Sequence, residues 1–242
     1  MKIALLGSTG RLGSLVHKEL NEEGIATYLV TKKVLESSRE FQNFFTQLPE
    51  QIIILDVSLP SGTENLIIQL EQLDSENINK LRGIVIGTTG HSITQLEKIK
   101  NISKKLPICL VSNFSKGVFL FEQILNAKTS NGMSVCDLAR SLGFDLALNE
   151  IHHTKKKDIP SGTAVTLASC ANLSSEKVSS TRVGDVIGEH TLYFSQDSEM
   201  FEIKHSAHSR KLFALGAIQI CKNMNAKSPV AGLLSKEGFF TQ

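Results

Sequence analysis

The stretch Lys2-Ile3-Ala4-Leu5-Leu6-Gly7-Ser8-Thr9-Gly10-Arg11-Leu12-Gly13 decides the fold. Its apolar start reads as a strand covered on both faces. Gly7 interrupts the run, and Leu12, Leu15, Val16 and Leu20 then recur at helical spacing over residues 11–23. A second short apolar strand follows at Ala26 to Thr31. Strand, glycine turn, helix and strand form the opening unit of a parallel sheet.

The alternation continues outward from there. Helical patterns at Leu35 to Leu48, Thr63 to Leu73 and Ile93 to Lys105 separate apolar runs at Ile52 to Asp56, Gly83 to Gly87 and Ile108 to Val111. This predicts an α/β fold, a Rossmann-type doubly wound parallel sheet with helices on both faces. Near Ser112 the pattern changes. Helices are expected at Phe119 to Ala127 and Gly162 to Asn172. Extended segments are expected at Phe144 to His152, Val183 to Ser195 and Met200 to His208, with a last helix at Leu212 to Lys222. The expected division is 1–112 with 210–242 as a dinucleotide-binding domain. Residues 113–209 form an inserted α+β substrate-binding and oligomerisation domain with an open mixed sheet.

Composition bounds the function. The chain has 242 residues, 41% of them hydrophobic and 21% charged, with a net charge of +2. That length can bury a sizeable core. The only basic run is Lys155-Lys156-Lys157, too little to argue for nucleic acid. No apolar stretch approaches the ~20 residues of a membrane span. The apolar start ends too early at Gly7 for a signal peptide, so a cytoplasmic location is expected. Cys109, Cys136, Cys170 and Cys221 form no CxxC pair and no zinc-site spacing, so no metal is expected.

The glycine turn is suited to phosphate. Glycine lets the backbone turn sharply and approach a ligand. A helix N-terminus offers unpaired N–H groups and a positive dipole end. Gly7, Ser8, Thr9, Gly10, Arg11 and Leu12 are therefore expected to hold a dinucleotide pyrophosphate, with Arg11 adding charge. After the second strand an NAD site usually carries a carboxylate for the ribose hydroxyl. Here Thr31-Lys32-Lys33 stands in that place. Lys32 and Lys33 suit a 2′-phosphate, so NADPH is expected to be preferred over NADH. Gly87-Thr88-Thr89-Gly90 and Ser112-Asn113-Phe114-Ser115 each follow a strand, where ligands of such sheets bind. Both are expected at the nicotinamide end.

A second cluster lies at Glu150-Ile151-His152-His153-Thr154-Lys155-Lys156-Lys157-Asp158-Ile159-Pro160-Ser161-Gly162-Thr163-Ala164. A strand ends at His152-His153, a basic loop follows, and a helix begins near Ser161. The free N–H groups and the hydroxyls of Ser161 and Thr163 can hold a carboxylate. The lysines and His153 favour an anionic substrate, and a histidine beside a lysine can donate a proton.

This segment resembles the E-x-H-H-x-x-K-x-D-x-P-S-G-T-A signature of the 4-hydroxy-tetrahydrodipicolinate reductase family. Glu150, His152, His153, Lys156, Asp158 and Pro160 to Ala164 match it. Further blocks resemble the family in order: Gly7 to Gly13, Gly87 to Gly90, Asn113 to Val118, Arg182 with Gly184, Gly188, Glu189 and His190, and His205 with Ser209, Arg210, Phe213, Gly216 and Ala217. The resemblance implies a two-domain enzyme of lysine and diaminopimelate biosynthesis that reduces a cyclic dicarboxylate with NADPH or NADH and loss of water. It implies His152 as proton donor and acceptor, Lys156 as a proton donor beside it, and His153 with Ser161, Gly162 and Thr163 as substrate contacts. Gly7 to Leu12, Gly87 to Thr89 and Val111 to Phe114 would contact the cofactor, and the protein would be a homotetramer. Three departures stand out: a short stretch between the second and third strands, Leu12 where methionine is common, and no acidic-hydrophobic tail. Two other readings are a different nicotinamide-dependent amino-acid dehydrogenase and a non-enzymatic NADPH-binding sensor. The intact cluster from Glu150 to Ala164 speaks against both.

Overall fold

The computed structural model describes residues 1–241 and divides them into two compact units. Unit 1 comprises Met1–Phe114 together with the chain from Phe213 onward, and unit 2 comprises Ser115–Leu212.

Unit 1 opens with β1 (Lys2–Leu6), α1 (Arg11–Glu22) and β2 (Ala26–Val30). Two short helices follow, α2 (Lys32–Glu36) and α3 (Ser38–Thr46). One helix was expected over Leu35 to Leu48. Ser37 breaks it, because it is extended and its hydroxyl caps α3 by accepting from the Glu40 N–H. The alternation resumes with β3 (Ile52–Asp56), α4 (Pro60–Glu71), α5 (Ser75–Asn79), β4 (Leu81–Ile86), α6 (Ile93–Ile102) and β5 (Pro107–Leu110).

Unit 2 contributes α7 (Lys116–Asn126), α8 (Val135–Ser141), β6 (Asp145–His152), α9 (Gly162–Cys170), β7 (Val178–Arg182), β8 (Glu189–Gln196) and β9 (Glu199–Ser206). The chain then returns to unit 1 through α10 (Lys211–Lys227), β10 (Gly232–Leu234) and α11 (Glu237–Phe240).

The first sheet is six-stranded and parallel, in the order β10-β5-β4-β3-β1-β2. Its two faces are covered separately. Ala4, Ile52, Ile54, Ile84 and Ile108 meet Phe41, Phe45, Leu66, Ile67 and Ile99 from α3, α4 and α6. Ile3, Leu5, Ile53, Leu55 and Val85 meet Val16 and Leu20 of α1 and Ala217, Ile218 and Cys221 of α10. The last helix of unit 1 is therefore supplied by the C-terminal segment. The chain order reverses between β1 and β3, and such a switch point leaves a crevice at the carboxyl ends of the strands.

The second sheet is four-stranded and mixed, in the order β7-β6-β8-β9. β7 runs parallel to β6, while β8 and β9 are antiparallel. A continuous strand over Val183 to Ser195 was expected. The chain instead pairs at Val178–Arg182, turns, and pairs again from Glu189. Gly184 sits in the turn at φ +49°, a conformation other residues rarely adopt. Leu146, Leu148, Leu192 and Phe194 pack against Phe121 and Leu125 of α7, Cys136 of α8 and Ala164 and Leu167 of α9. The alternate residues Ala147, Asn149, Ile151 and Tyr193 lie outside that core.

The glycine turn is a steric requirement. Gly7 has φ +90°, and a Cβ there would lie 2.7 Å from the Val57 carbonyl oxygen. A Cβ on Gly13 would lie 1.9 Å from the Gly7 carbonyl oxygen. Gly13→Ala is expected to force α1 off β1 and to lower the unfolding free energy by about 1–3 kcal/mol or more in urea titrations. Gly238→Ala, where a Cβ meets nothing within 4 Å, serves as the near-neutral control.

Candidate active site

In unit 1 the expected cofactor residues gather at the carboxyl ends of the strands. The Gly10 N–H donates to the Gly7 carbonyl at 2.9 Å, closing the turn. α1 has no side-chain cap at Gly10, whereas α2, α3, α6, α7, α8 and α9 are all capped by Ser or Thr. Its first N–H groups thus carry no side-chain cap, as is also true of α4 at Leu59, and such N–H groups can hold an anion. A cleft of about 630 Å³ runs past Gly7, Ser8, Thr9 and Gly10, then Thr31 and Lys32, and on to Ser58 and Asn65. Lys32 lies on its wall. Lys33 is the next residue along α2, exposed and outside the lining. Arg11 is exposed at the start of α1, and Leu12 is half-buried against the core beneath it.

Asp56, at the carboxyl end of β3, organises this region. Its carboxylate is fully buried. Oδ1 accepts from the Ser58 N–H at 2.9 Å, the Ser58 hydroxyl at 2.6 Å and the Thr88 hydroxyl at 3.1 Å. Oδ2 accepts from the Thr63 hydroxyl on α4. One side chain thus ties the loops after β3 and β4 together. Sequence reasoning missed it, although an acid closing the apolar run Ile52 to Leu55 was the available signal. Gly87 and Phe114 join the two expected nicotinamide loops: a Cβ on Gly87 would meet the Phe114 ring at 2.2 Å. The Phe114 and Val111 side chains are buried, so these residues present backbone. Thr89 and Ser112 are exposed and Asn113 is half-buried.

Unit 2 brings the second cluster together around Glu150. Strand register sets Ser180 and His190 on either side of Glu150, and Arg182 beside His152. Glu150 Oε1 accepts from the Ser161 N–H at 3.0 Å, the Ser180 hydroxyl at 2.7 Å and Arg182 Nη2 at 2.8 Å. Oε2 lies 2.9 Å from His152 Nδ1. That approach is off the ring N–H axis, so its attraction is chiefly electrostatic. Burial alone would raise the Glu150 pKa. The hydrogen bonds from Ser161, Arg182 and Ser180 outweigh it and hold the carboxyl at about 2.

Three histidines share the helix-covered face of this sheet. The His152 and His190 rings are 5.2 Å apart between centroids, and those of His190 and His205 are 6.4 Å apart. His190 Nε2 lies 3.3 Å from the Ser161 hydroxyl, and His205 Nε2 lies 3.2 Å from the Ser115 hydroxyl. Both serines cap helices, accepting from the N–H groups of Ala164 and Val118. Burial pushes the His190 pKa down to about 4 and also lowers those of His152 and His205. Glu150, His152 and His190 place donor atoms within 4.8 Å of one another, a spacing that can suit a metal ion. The Arg182 guanidinium already supplies the positive charge for that carboxylate, so no metal is assigned.

Lys156, half-buried, bonds the Asp158 carboxylate at 2.9 Å. Asp158 also draws on the Gly162 backbone N–H. The Asp158 carbonyl accepts from Arg182 Nη2 at 2.7 Å, which fixes the loop. His153 and Thr163 are half-buried, Gly162 is exposed, and open space surrounds the place where a Gly162 Cβ would stand. The roles of Arg182, His190 and His205 were not legible, because cross-strand pairing brings them in from distant sequence.

Known proteins bear on these units. The family model for the N-terminus of dihydrodipicolinate reductase matches residues 1–114, and that for its C-terminus matches residues 117–236. A 4-hydroxy-tetrahydrodipicolinate reductase of Thermosipho africanus is 32% identical over 241 residues, covering 100% of this chain and 95% of that protein. One of Nitratiruptor sp. is 30% identical over 270 residues, covering 100% and 97%. Among solved structures, dipicolinate-bound dihydrodipicolinate reductase from Paenisporosarcina sp. TG-14 superposes with a TM-score of 0.64 at 20% identity, covering 97% of each chain.

The buried histidines set a pH dependence. Unfolded His190 takes up a proton near pH 6.5, whereas folded His190 does so only near pH 4. Between these values the unfolded state binds more protons, so stability falls as pH falls. Urea unfolding at pH 7 and pH 5 is expected to show a loss on the order of a few kcal/mol for the wild type and a smaller one for His190→Asn. With both halves matched and full-length relatives at this identity, the chain belongs to the dihydrodipicolinate reductase family.

Proposed function

We propose that this chain is the NADPH-preferring enzyme that reduces 4-hydroxy-tetrahydrodipicolinate to tetrahydrodipicolinate with loss of water. Membership of the family makes it a nicotinamide-dependent oxidoreductase of lysine and diaminopimelate biosynthesis. The observation that carries the chemical reading is the strand–loop–helix from Glu150 to Ala164. It brings a buried imidazole, an ammonium and the Ser161-capped start of a helix onto one short segment.

The bound cofactor supplies the hydride. The protein's own residues do the rest. The N–H groups of Gly162 and Thr163, with the Ser161 cap behind them, hold one substrate carboxylate. His153 and Lys156 offer hydrogen bonds and charge to a dianion. His152, with Lys156 beside it, provides the proton that quenches negative charge built up on the ring. Asp158 sits on Lys156 and on the Gly162 N–H, the groups this reading gives to the substrate, so substrate must displace it there.

On the cofactor side the uncapped N-terminus of α1 and the turn from Gly7 to Leu12 take the pyrophosphate. The loops at Gly87 to Thr89 and Val111 to Phe114 take the nicotinamide end. Lys32 and Lys33 favour the 2′-phosphate, with NADH as the weaker alternative. The second face of the four-stranded sheet, with Ala147, Asn149, Ile151 and Tyr193, supports a homotetramer joined through it. Among the described residues no helix is long and apolar enough to cross a membrane. Biosynthesis in the cytoplasm is the location this reading assigns.

An NADPH-oxidation assay on the coupled synthase product tests the mechanism. His152→Gln and Lys156→Ala are expected to lose kcat by about 10²–10⁴-fold while NADPH affinity is retained. Unchanged turnover in both would remove these roles. Tight NADPH binding by a wild type that turns nothing over would favour a sensor. The cofactor preference has its own check, the ratio of KM for NADH to KM for NADPH. It is expected above one in the wild type and to fall at least tenfold in Lys32→Glu/Lys33→Glu, which replaces two cationic partners of a phosphate with anions.

A further inference from the structure

The proposed function gives His152 a proton to transfer, but a histidine has two nitrogens. Only one of them can exchange a proton with substrate while the other holds its own. The surroundings of the ring separate the two.

Nδ1 lies 2.9 Å from Glu150 Oε2. The approach is off the ring N–H axis, but a lone pair on Nδ1 this close to a carboxylate oxygen would still be repelled, so the proton of the neutral ring belongs on Nδ1. Glu150 cannot swing away to release it. Its other oxygen is held by the Ser161 N–H, the Ser180 hydroxyl and Arg182, and its side chain has no exposure. Nε2 lies on the opposite side of the ring, against Gly188. A Cβ at Gly188 would stand 2.9 Å from Nε2 and 3.2 Å from Cδ2. Gly188 is not in the left-handed region, so backbone conformation does not demand glycine there. What its missing side chain gives is room beside Nε2.

Resting on the reading of His152 as the proton donor, we propose that Glu150 is the positioning residue that keeps one proton on His152 Nδ1. Nε2, opened by Gly188, is then the nitrogen that exchanges a proton with substrate. In the reductive direction the Nε2–H bond of the imidazolium breaks. The proton goes to the substrate ring and the electron pair stays on Nε2. The ring is left neutral with its Nδ1–H facing Glu150, and a proton from water recharges it. Neither Glu150 nor Arg182 changes charge.

The groups facing the ring make this arrangement necessary. Burial, Lys156 and Arg182 all disfavour the imidazolium, as does the neighbouring His190 when protonated. Glu150 foremost, and Asp158 after it, favour it. Without the Glu150 charge, burial and the neighbouring cations would disfavour the imidazolium still further.

The experiment pairs two substitutions with two readouts. Glu150→Gln keeps the shape and removes the charge. The ligand-free enzyme is titrated by histidine NMR, with His152 assigned by its loss in His152→Gln. The pH profiles of kcat and kcat/KM are then measured. The expected result for Glu150→Gln is a lower His152 pKa, an acid-shifted profile, and a kcat reduced about a hundredfold at neutral pH with KM for NADPH unchanged. A purely structural role would instead loosen the site and move the His152 pKa up towards that of a solvated imidazole. That result, or an unmoved pKa, overturns the proposal. Gly188→Ala covers the case in which Glu150→Gln does not fold. It is expected to lose kcat/KM for substrate about tenfold or more while NADPH binding is retained, because its methyl crowds Nε2. Wild-type turnover by Gly188→Ala overturns the assignment of Nε2. If the wild type turns over and His152→Gln does too, the underlying reading of His152 has failed instead. The NMR titration still reports whether Glu150 governs that ring.

Discussion

A carboxylate removed from water must be met by donors or it will not stay ionised. Glu150 lives under that constraint, and much of unit 2 is arranged to satisfy it. β7 supplies Ser180 and Arg182, the N-terminus of α9 supplies the Ser161 N–H, and His152 lies two residues further along the same strand. These contacts bind the first strand of the motif to its helix. The loop from His153 to Pro160 is therefore anchored at both ends by one side chain, with Arg182 also gripping the Asp158 carbonyl in the middle. Unit 1 has a buried acid of its own. Asp56 collects Ser58, Thr63 and Thr88, so the loops after β3 and β4 are held as one floor. In each unit a buried acid on a strand fixes the loops that carry polar and charged side chains.

The parallel sheet was legible because its signals are local. Apolar runs at Ile52 to Leu55 and Gly83 to Ile86 can serve only strands buried on both faces, and the helices between them carry one apolar stripe. The glycine turn was legible for the same reason, since Gly7 and Gly13 stand next to the atoms they make room for. The segment from Glu150 to Ala164 could be read as a cluster because its members are contiguous.

What stayed hidden depends on distance in the chain or on short competing bonds. Ser37 stops a helical pattern because its hydroxyl offers the backbone another partner, which periodicity does not see. The turn from Val183 to Gly188 looked like strand, because extended residues lie on both sides and only strand pairing says where the ladder stops. β10 is three residues long, and its pairing with β5 joins segments more than a hundred residues apart. Asp56, Arg182 and His205 each act on partners from other elements. A sequence shows that such residues exist but not what they face. Glu150 is intermediate: it stood in plain sight in the motif, yet its burial, and with it its purpose, appears only when β7 and α9 close over it.

The two acids of the motif are handled in opposite ways, and the difference is instructive. Glu150 has no exposure and three donors on one oxygen, so no ligand can take its place. Asp158 is 56% exposed and rests on Lys156 and the Gly162 N–H, groups that an incoming carboxylate could use as well. A negative charge that must orient a histidine has to be permanent, which burial and saturation provide. If Asp158 holds the substrate's place, as the proposed function has it, its charge has to be exchangeable, which exposure provides. The loop is left with a cation whose partner can be traded, next to an imidazole whose partner cannot. Under the proposed function, a dianion entering such a site would gain Lys156 without disturbing the pair that holds His152. On that reading, binding charge and proton-transfer geometry are kept on separate carboxylates, eight residues apart in sequence and linked through Arg182.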